Sequence, residues 1–174
     1  MWKTLSSKEI FKHPRITIIE DKVLLPNGKE SSYIKYAYEG DAVTIIAKNL
    51  EGKILLQKEY SYPPNQELLQ LPGGSIAINE DVLVGANREL MEEMDYEARD
   101  IKIIGKYLIN NRRTKAYMYV LTADNLSTKS LEGDLEESIA PVWLTELEID
   151  DLIRKGEIIN PHTLASWCIY KSCH

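Results

Sequence analysis

Glu89, Glu92 and Glu93 lie three and four residues apart in a stretch with a helical apolar repeat, a spacing that gathers three carboxylates on one helix face. Three anions so placed repel one another unless something positive sits among them. Mg²⁺ suits that role, because it takes oxygen ligands and binds through a few carboxylates together with substrate phosphates. Mn²⁺ is the alternative. Arg88 precedes the cluster and can pair with Glu92 one turn later. Taken alone, Glu-x-x-Glu-Glu describes many solvated helix faces, so the elements around it must carry part of the argument.

The helix is expected to begin at Asn79 as cap, with Glu80 and Asp81 complementing its positive end. Leu83, Ala86, Leu90 and Met94 form its apolar stripe, leaving the carboxylates on the solvent side. Before it come strands at Ile16 to Ile19, Val23 to Leu25 and Ser32 to Tyr38, the last two joined by Pro26-Asn27-Gly28-Lys29, a tight hairpin turn. A second hairpin, Ala42 to Lys48 and Lys53 to Glu59, turns at Asn49-Leu50-Glu51-Gly52, and a short strand covers Glu67 to Leu71. After the helix, strands at Ile101 to Ile109 and Lys115 to Leu121 flank the turn Asn110 to Thr114. A polar loop from Asp124 to Glu137 leads to a strand at Ile139 to Leu144. Thr145-Glu146-Leu147-Glu148 is a capping box opening a helix that ends at Arg154-Lys155-Gly156. Asn160-Pro161 starts the last helix. The elements alternate too irregularly for a doubly wound sheet, which makes the class α+β. Residues 1–40 read as a small β subdomain and 41–174 as the main domain.

The 174 residues are 44% hydrophobic and 28% charged, an ordinary balance for a globular chain. A net charge of −6 provides no global field for nucleic acid or anionic lipid. No apolar run approaches the roughly 18 residues of a bilayer span. Charged residues between Met1 and Glu20 interrupt any signal-peptide core. The two cysteines, Cys168 and Cys173, read as reduced thiols, and a cytoplasmic location is expected.

Gly74, Glu80, Arg88, Glu89, Leu90, Glu92, Glu93 and Tyr96, at their fixed spacing, resemble the Nudix box, with Asp95 standing where that family has a glycine. The resemblance implies the Nudix fold, a mixed β-sheet sandwiched between helices. It also implies that Glu89, Glu92 and Glu93 hold the metal with the Gly73 carbonyl, that Arg88 orients the glutamates, and that Glu80 is structural. The chemistry implied is metal-assisted hydrolysis of a diphosphate, with Arg88 and Glu92 part of the catalytic set.

Further stretches look like the ADP-ribose pyrophosphatase branch: Leu55 to Pro64, Leu69 to Gly74, the Val23 to Lys29 hairpin, and Gly156 to Asn160. That likeness implies a homodimer formed through the N-terminal subdomain. It places a catalytic base at Glu137 or Glu136, and aligns Tyr33 with an aromatic that stacks on the base. Three departures bear on substrate: Glu59-Tyr60-Ser61 replaces Gln-aromatic-Arg, Pro72-Gly73-Gly74 replaces Pro-Ala-Gly, and Arg112 and Arg113 occupy a turn where relatives differ. Paired guanidinium forks suit phosphate, so Arg112 and Arg113 are candidate substrate anchors. The implied reaction is Mg²⁺-dependent hydrolysis of ADP-ribose to AMP and ribose 5-phosphate. The alternatives are another sugar nucleotide, such as GDP-mannose or UDP-glucose, and a non-catalytic nucleotide-binding protein.

Overall fold

The computed structural model describes residues 1–132 and 139–173. The chain divides into two compact units, Met1–Glu39 with Leu108–Ala116, and Gly40–Tyr107 with Tyr117–His174.

The first unit is a three-stranded antiparallel sheet in the order β1 (Lys3–His13), β2 (Ile16–Leu24), β3 (Glu30–Tyr36). Gly28, at φ 78°, makes the β2–β3 turn that Asn27-Gly28 predicts, closed by the Leu25 N–H donating to the Lys29 carbonyl at 2.8 Å. β1 lies ahead of the first strand expected from the sequence. All eleven of its residues are exposed, so no inside–outside alternation marks it, and its extended form comes from pairing with β2. The turn at 110–113 joins this sheet as well. The Tyr36 N–H donates to the Arg113 carbonyl at 2.7 Å, and the Arg113 guanidinium donates to the Ile34 carbonyl at 2.9 Å.

The second unit contains β4 (Asp41–Ala47), β5 (Ile54–Ser61), β6 (Gln66–Gln70), β7 (Ser75–Ile76), α1 (Val82–Glu93), β8 (Tyr96–Leu108), β9 (Tyr117–Thr128), β10 (Ile139–Leu144), α2 (Glu146–Lys155) and α3 (Pro161–Ser172). One sheet runs β7-β4-β9-β8, with β4 parallel to β9 and antiparallel to β7; the other runs β10-β5-β6 and is antiparallel. Mixed pairing of this kind confirms the α+β class. β4 is buried on both faces. Val43, Ile45 and Ala47 pack with Ala86 and Leu90 of α1 and with Met94, its C-cap, while Ile46 packs with Ile149 of α2 and Trp167 and Tyr170 of α3. The sheet is therefore sandwiched between α1 and the C-terminal helices. Burying a side chain such as Leu90 contributes roughly 1.5–3 kcal/mol. Among the described residues no helix is long and apolar enough to cross a membrane.

Both C-terminal helices begin as the sequence predicts. Thr145 and Glu148 form the reciprocal capping box, Gly156 ends α2 at φ 72°, and Asn160 caps α3 by accepting from the Thr163 N–H. The start of α1 differs. Asp81, not Asn79, is its cap, accepting from the Leu83 and Val84 N–H groups, while Asn79 sits in the preceding turn at φ 71°. The later start has a physical cause: Glu80 is already committed to the Ala77 N–H, which it accepts at 2.8 Å. Leu83 lies 37% exposed, so the packed stripe is Ala86, Leu90 and Met94. β9 also runs on to Thr128, through residues whose polarity reads as loop.

Asp95 adopts the left-handed φ of 60° that a glycine would take at lower cost. Asp81→Ala is expected to lower unfolding free energy by about 1 kcal/mol through loss of the cap. Asp95→Gly should raise it by up to ~1 kcal/mol through relief of the left-handed strain. Chemical denaturation checks both; equal stability of Asp81→Ala and wild type would return the cap to Asn79.

Candidate functional site

The segment from Leu71 to Gly74 is held from two sides. The Ile45 N–H donates to the Pro72 carbonyl and the Val43 N–H to the Gly74 carbonyl, both at 2.9 Å, so β4 takes every second peptide edge. The intervening Gly73 turns the other way, its N–H donating to Glu93 Oε2 at 2.9 Å. Gly73 lies at φ 144°, and a Cβ there would stand only 2.1 Å from the Val43 carbonyl oxygen, so the position admits no side chain. On the α3 side, Thr163 Oγ1 accepts from the Leu71 N–H at 3.0 Å.

Arg88 stands at the centre of the α1 face. Its Nη1 donates to Glu89 Oε1 at 2.9 Å and to Glu92 Oε2 at 2.7 Å. Its Nε donates to Glu80 Oε1 at 3.1 Å, and its Nη2 to the Ser75 carbonyl at 3.0 Å. The bonds to Glu80, with those to Glu89 and Glu92, hold the guanidinium pKa well above the ordinary arginine range. Glu80 responds in the opposite direction: Arg88, and then the Ala77 N–H, hold its carboxyl below the usual glutamate value. Glu89 is buried, against the expectation that the carboxylates all face solvent. Its place depends on Gly74, where a Cβ would stand 2.3 Å from Glu89 Oε2.

These groups line a cavity of about 470 Å³, whose walls include Gly73, Gly74, Arg88, Glu89, Glu92 and Glu93. Gln57, Glu59 and Gln70 also line it. The sequence assigns no role to Gln57 or Gln70 and meets Glu59 only as a departure from Gln-aromatic-Arg, although Gln57 and Glu59 are two apart on one strand and so share a face. Gln57 is buried, yet its Oε1 has no hydrogen-bond partner. Such an orphan costs roughly 1–3 kcal/mol.

Among the described residues no three acidic, histidine or cysteine side chains converge as a ready metal cluster. Arg88 holds one oxygen each of Glu89 and Glu92, and Gly73 holds one of Glu93. The donor set is nevertheless all oxygen, gathered on one cavity and closed in by two glycines, which suits a hard divalent cation.

Tyr33, Arg112 and Arg113 meet in the first unit: the Tyr33 hydroxyl donates to the Arg112 carbonyl at 2.5 Å, and the Arg113 guanidinium lies 5.9 Å from the Tyr33 ring centroid. Trp2 meets the same ring edge-on at 5.8 Å. Glu136 and Glu137 lie outside the described residues.

The depressed Glu80 carboxyl gives a signed prediction. Its contribution is fully present above the ordinary glutamate value of 4.5 and is lost as pH falls through the lower folded value. Glu80→Gln should therefore be less stable than wild type by a constant amount near neutrality, the gap closing under acid conditions. Urea unfolding of both proteins across pH measures it, and a gap that widens in acid would contradict the Arg88–Glu80 assignment.

A family model described as NUDIX domain matches residues 39–166, and one described as nucleoside diphosphate sugar hydrolase N-terminal domain matches residues 2–33. The chain is 30% identical over 152 residues to the methanol dehydrogenase activator of Bacillus methanolicus, covering 87% of this chain and 81% of the relative. It is 28% identical over 155 residues to the ADP-ribose pyrophosphatase of Bacillus subtilis, covering 89% and 83%. A crystal structure of an ADP compounds hydrolase superposes with a TM-score of 0.89 at 22% identity, over 98% of this chain and 92% of that one, and shows the same fold. The acidic helix, the glycine segment packed against it and the match across 39–166 place this chain in the Nudix hydrolase family.

Proposed function

We propose that this Nudix pyrophosphatase, of the nucleoside-diphosphate-sugar type, hydrolyses ADP-ribose to AMP and ribose 5-phosphate with Mg²⁺. One observation carries the reading: Glu89, Glu92 and Glu93 remain together with Gly73 on one cavity, organised by Arg88. The choice of ADP-ribose is supported by relatives named ADP-ribose pyrophosphatase in Bacillus subtilis and ADP compounds hydrolase in Escherichia coli, 28% and 26% identical.

Glu89, Glu92 and Glu93, with the Gly73 carbonyl, would hold the cation, Mn²⁺ serving where Mg²⁺ does. When bound, the metal neutralises diphosphate charge and acidifies the attacking water. Arg88 keeps two carboxylates at fixed positions, so little reorganisation is needed as charge develops. Glu137, with Glu136 as alternative, is the base assigned by resemblance. Tyr33 is assigned to the nucleobase, and Arg112 and Arg113 to the diphosphate. Ser61, where relatives carry arginine, favours a second reading in which the sugar nucleotide is GDP-mannose or UDP-glucose.

Glu93→Gln should keep the fold and reduce turnover of ADP-ribose by orders of magnitude, and EDTA should abolish it. Full turnover in either condition rules out the metal reading. GDP-mannose or UDP-glucose turned over faster than ADP-ribose in the same Mg²⁺ assay would select the second reading.

Replacing Arg112 and Arg113 together by alanine should raise KM about tenfold or more with a smaller effect on kcat. Because Arg113 also donates to the Ile34 carbonyl, the single Arg112→Ala variant separates binding from stability. A KM within twofold of wild type in both variants would assign the arginines to the first unit's structure alone.

A further inference from the structure

Gln57, Glu59 and Gln70 form the strand-borne part of the cavity lining. Gln57 and Gln70 pair across β5 and β6, and Glu59 is two residues beyond Gln57, so alternation sets all three on one face. Both amides donate to the same oxygen of Glu59, Gln70 Nε2 at 2.6 Å and Gln57 Nε2 at 3.3 Å. Gln70 is fixed in turn by Asn160, whose Nδ2 donates to Gln70 Oε1 at 2.6 Å while its own Oδ1 caps α3. The Glu59 carboxylate is thus aimed by a chain of amides that ends on a helix terminus.

A second observation points to a ligand. The Gln57 side chain is 1% exposed, and its Oε1 lacks a partner. Flipping the amide gives no relief, since it would set that oxygen against Glu59 and strand two N–H donors instead. The cavity that Gln57 lines is a place from which a donor could come. A carboxylate and an amide oxygen accept hydrogen bonds; they do not attract phosphate. Ser61, next along the same face, adds no positive charge. We propose that Gln57 and Glu59 form a hydroxyl-reading subsite that takes the sugar of a nucleoside-diphosphate sugar and sets specificity for a sugar over a plain ester. This rests on the sugar-nucleotide reading of the cavity.

The test compares ADP-ribose with the P²-methyl ester of ADP, which keeps base, diphosphate and charge but lacks the second sugar. Titration calorimetry is run with Ca²⁺, which takes the same class of oxygen ligands, on wild type, Glu59→Gln and Gln70→Leu. Wild type should bind ADP-ribose roughly tenfold or more tightly than the ester, the scale of a hydrogen bond to a charged acceptor. Each variant should bring the two affinities within about twofold, chiefly by weakening ADP-ribose. Circular dichroism identifies folded variants, and Gln70→Leu decides if Glu59→Gln fails to fold. Equal affinities in wild type, or a preference kept by a folded variant, overturns the subsite. A binding preference without hydrolysis in Mg²⁺ would instead sink the proposed activity and leave the subsite standing.

Discussion

One guanidinium organises the site. Arg88 donates to Glu80, Glu89, Glu92 and the Ser75 carbonyl, so it ties the helix to the glycine segment and to the turn before the helix. Three carboxylates around one cation leave a net negative centre. In water that repulsion is modest, but it strengthens where burial lowers the local dielectric, and Glu89 is buried. The arrangement stays short of positive charge. That deficit is what the proposed divalent cation would offset.

The rest of the second unit serves to hold this face against Gly73 and Gly74. β4 takes the carbonyls of Pro72 and Gly74, α3 takes the Leu71 N–H through Thr163, and Glu93 takes the Gly73 N–H. Two glycines are required there by close approach: a side chain at Gly73 would meet β4, and one at Gly74 would meet the Glu89 carboxylate. Asn87 adds a lock from the other side of α1, donating to the Ala98 carbonyl and accepting the Ala98 N–H. The carboxylates thus sit on a helix clamped at several points, which keeps their positions defined.

What could be read in the sequence was local. Asn27-Gly28, the Thr145–Glu148 box and Asn160-Pro161 each declare a turn or cap within four residues, and each forms as read. Helix periodicity is likewise a local signal, and Glu89, Glu92 and Glu93, three and four residues apart, line one cavity. What escaped was decided by tertiary contact. The cap of α1 moved to Asp81 because Glu80 is committed to Ala77 and Arg88. Glu89 is buried by the approach of Gly74, fifteen positions earlier in the chain. The Gln57–Glu59–Gln70–Asn160 chain joins residues 90 apart in sequence at its last link, and no local pattern announces it. β1 carries no alternation at all, because none of its residues is buried.

The central claim, that this cavity cleaves a sugar nucleotide between its two phosphorus atoms, is tested most directly by ³¹P NMR of ADP-ribose incubated with the protein and Mg²⁺. The account predicts loss of the diphosphate resonances and growth of two monophosphate resonances, one of AMP and one of ribose 5-phosphate, in equal amounts. Diphosphate resonances that persist unchanged at high protein concentration, for ADP-ribose and for other sugar nucleotides alike, would contradict it.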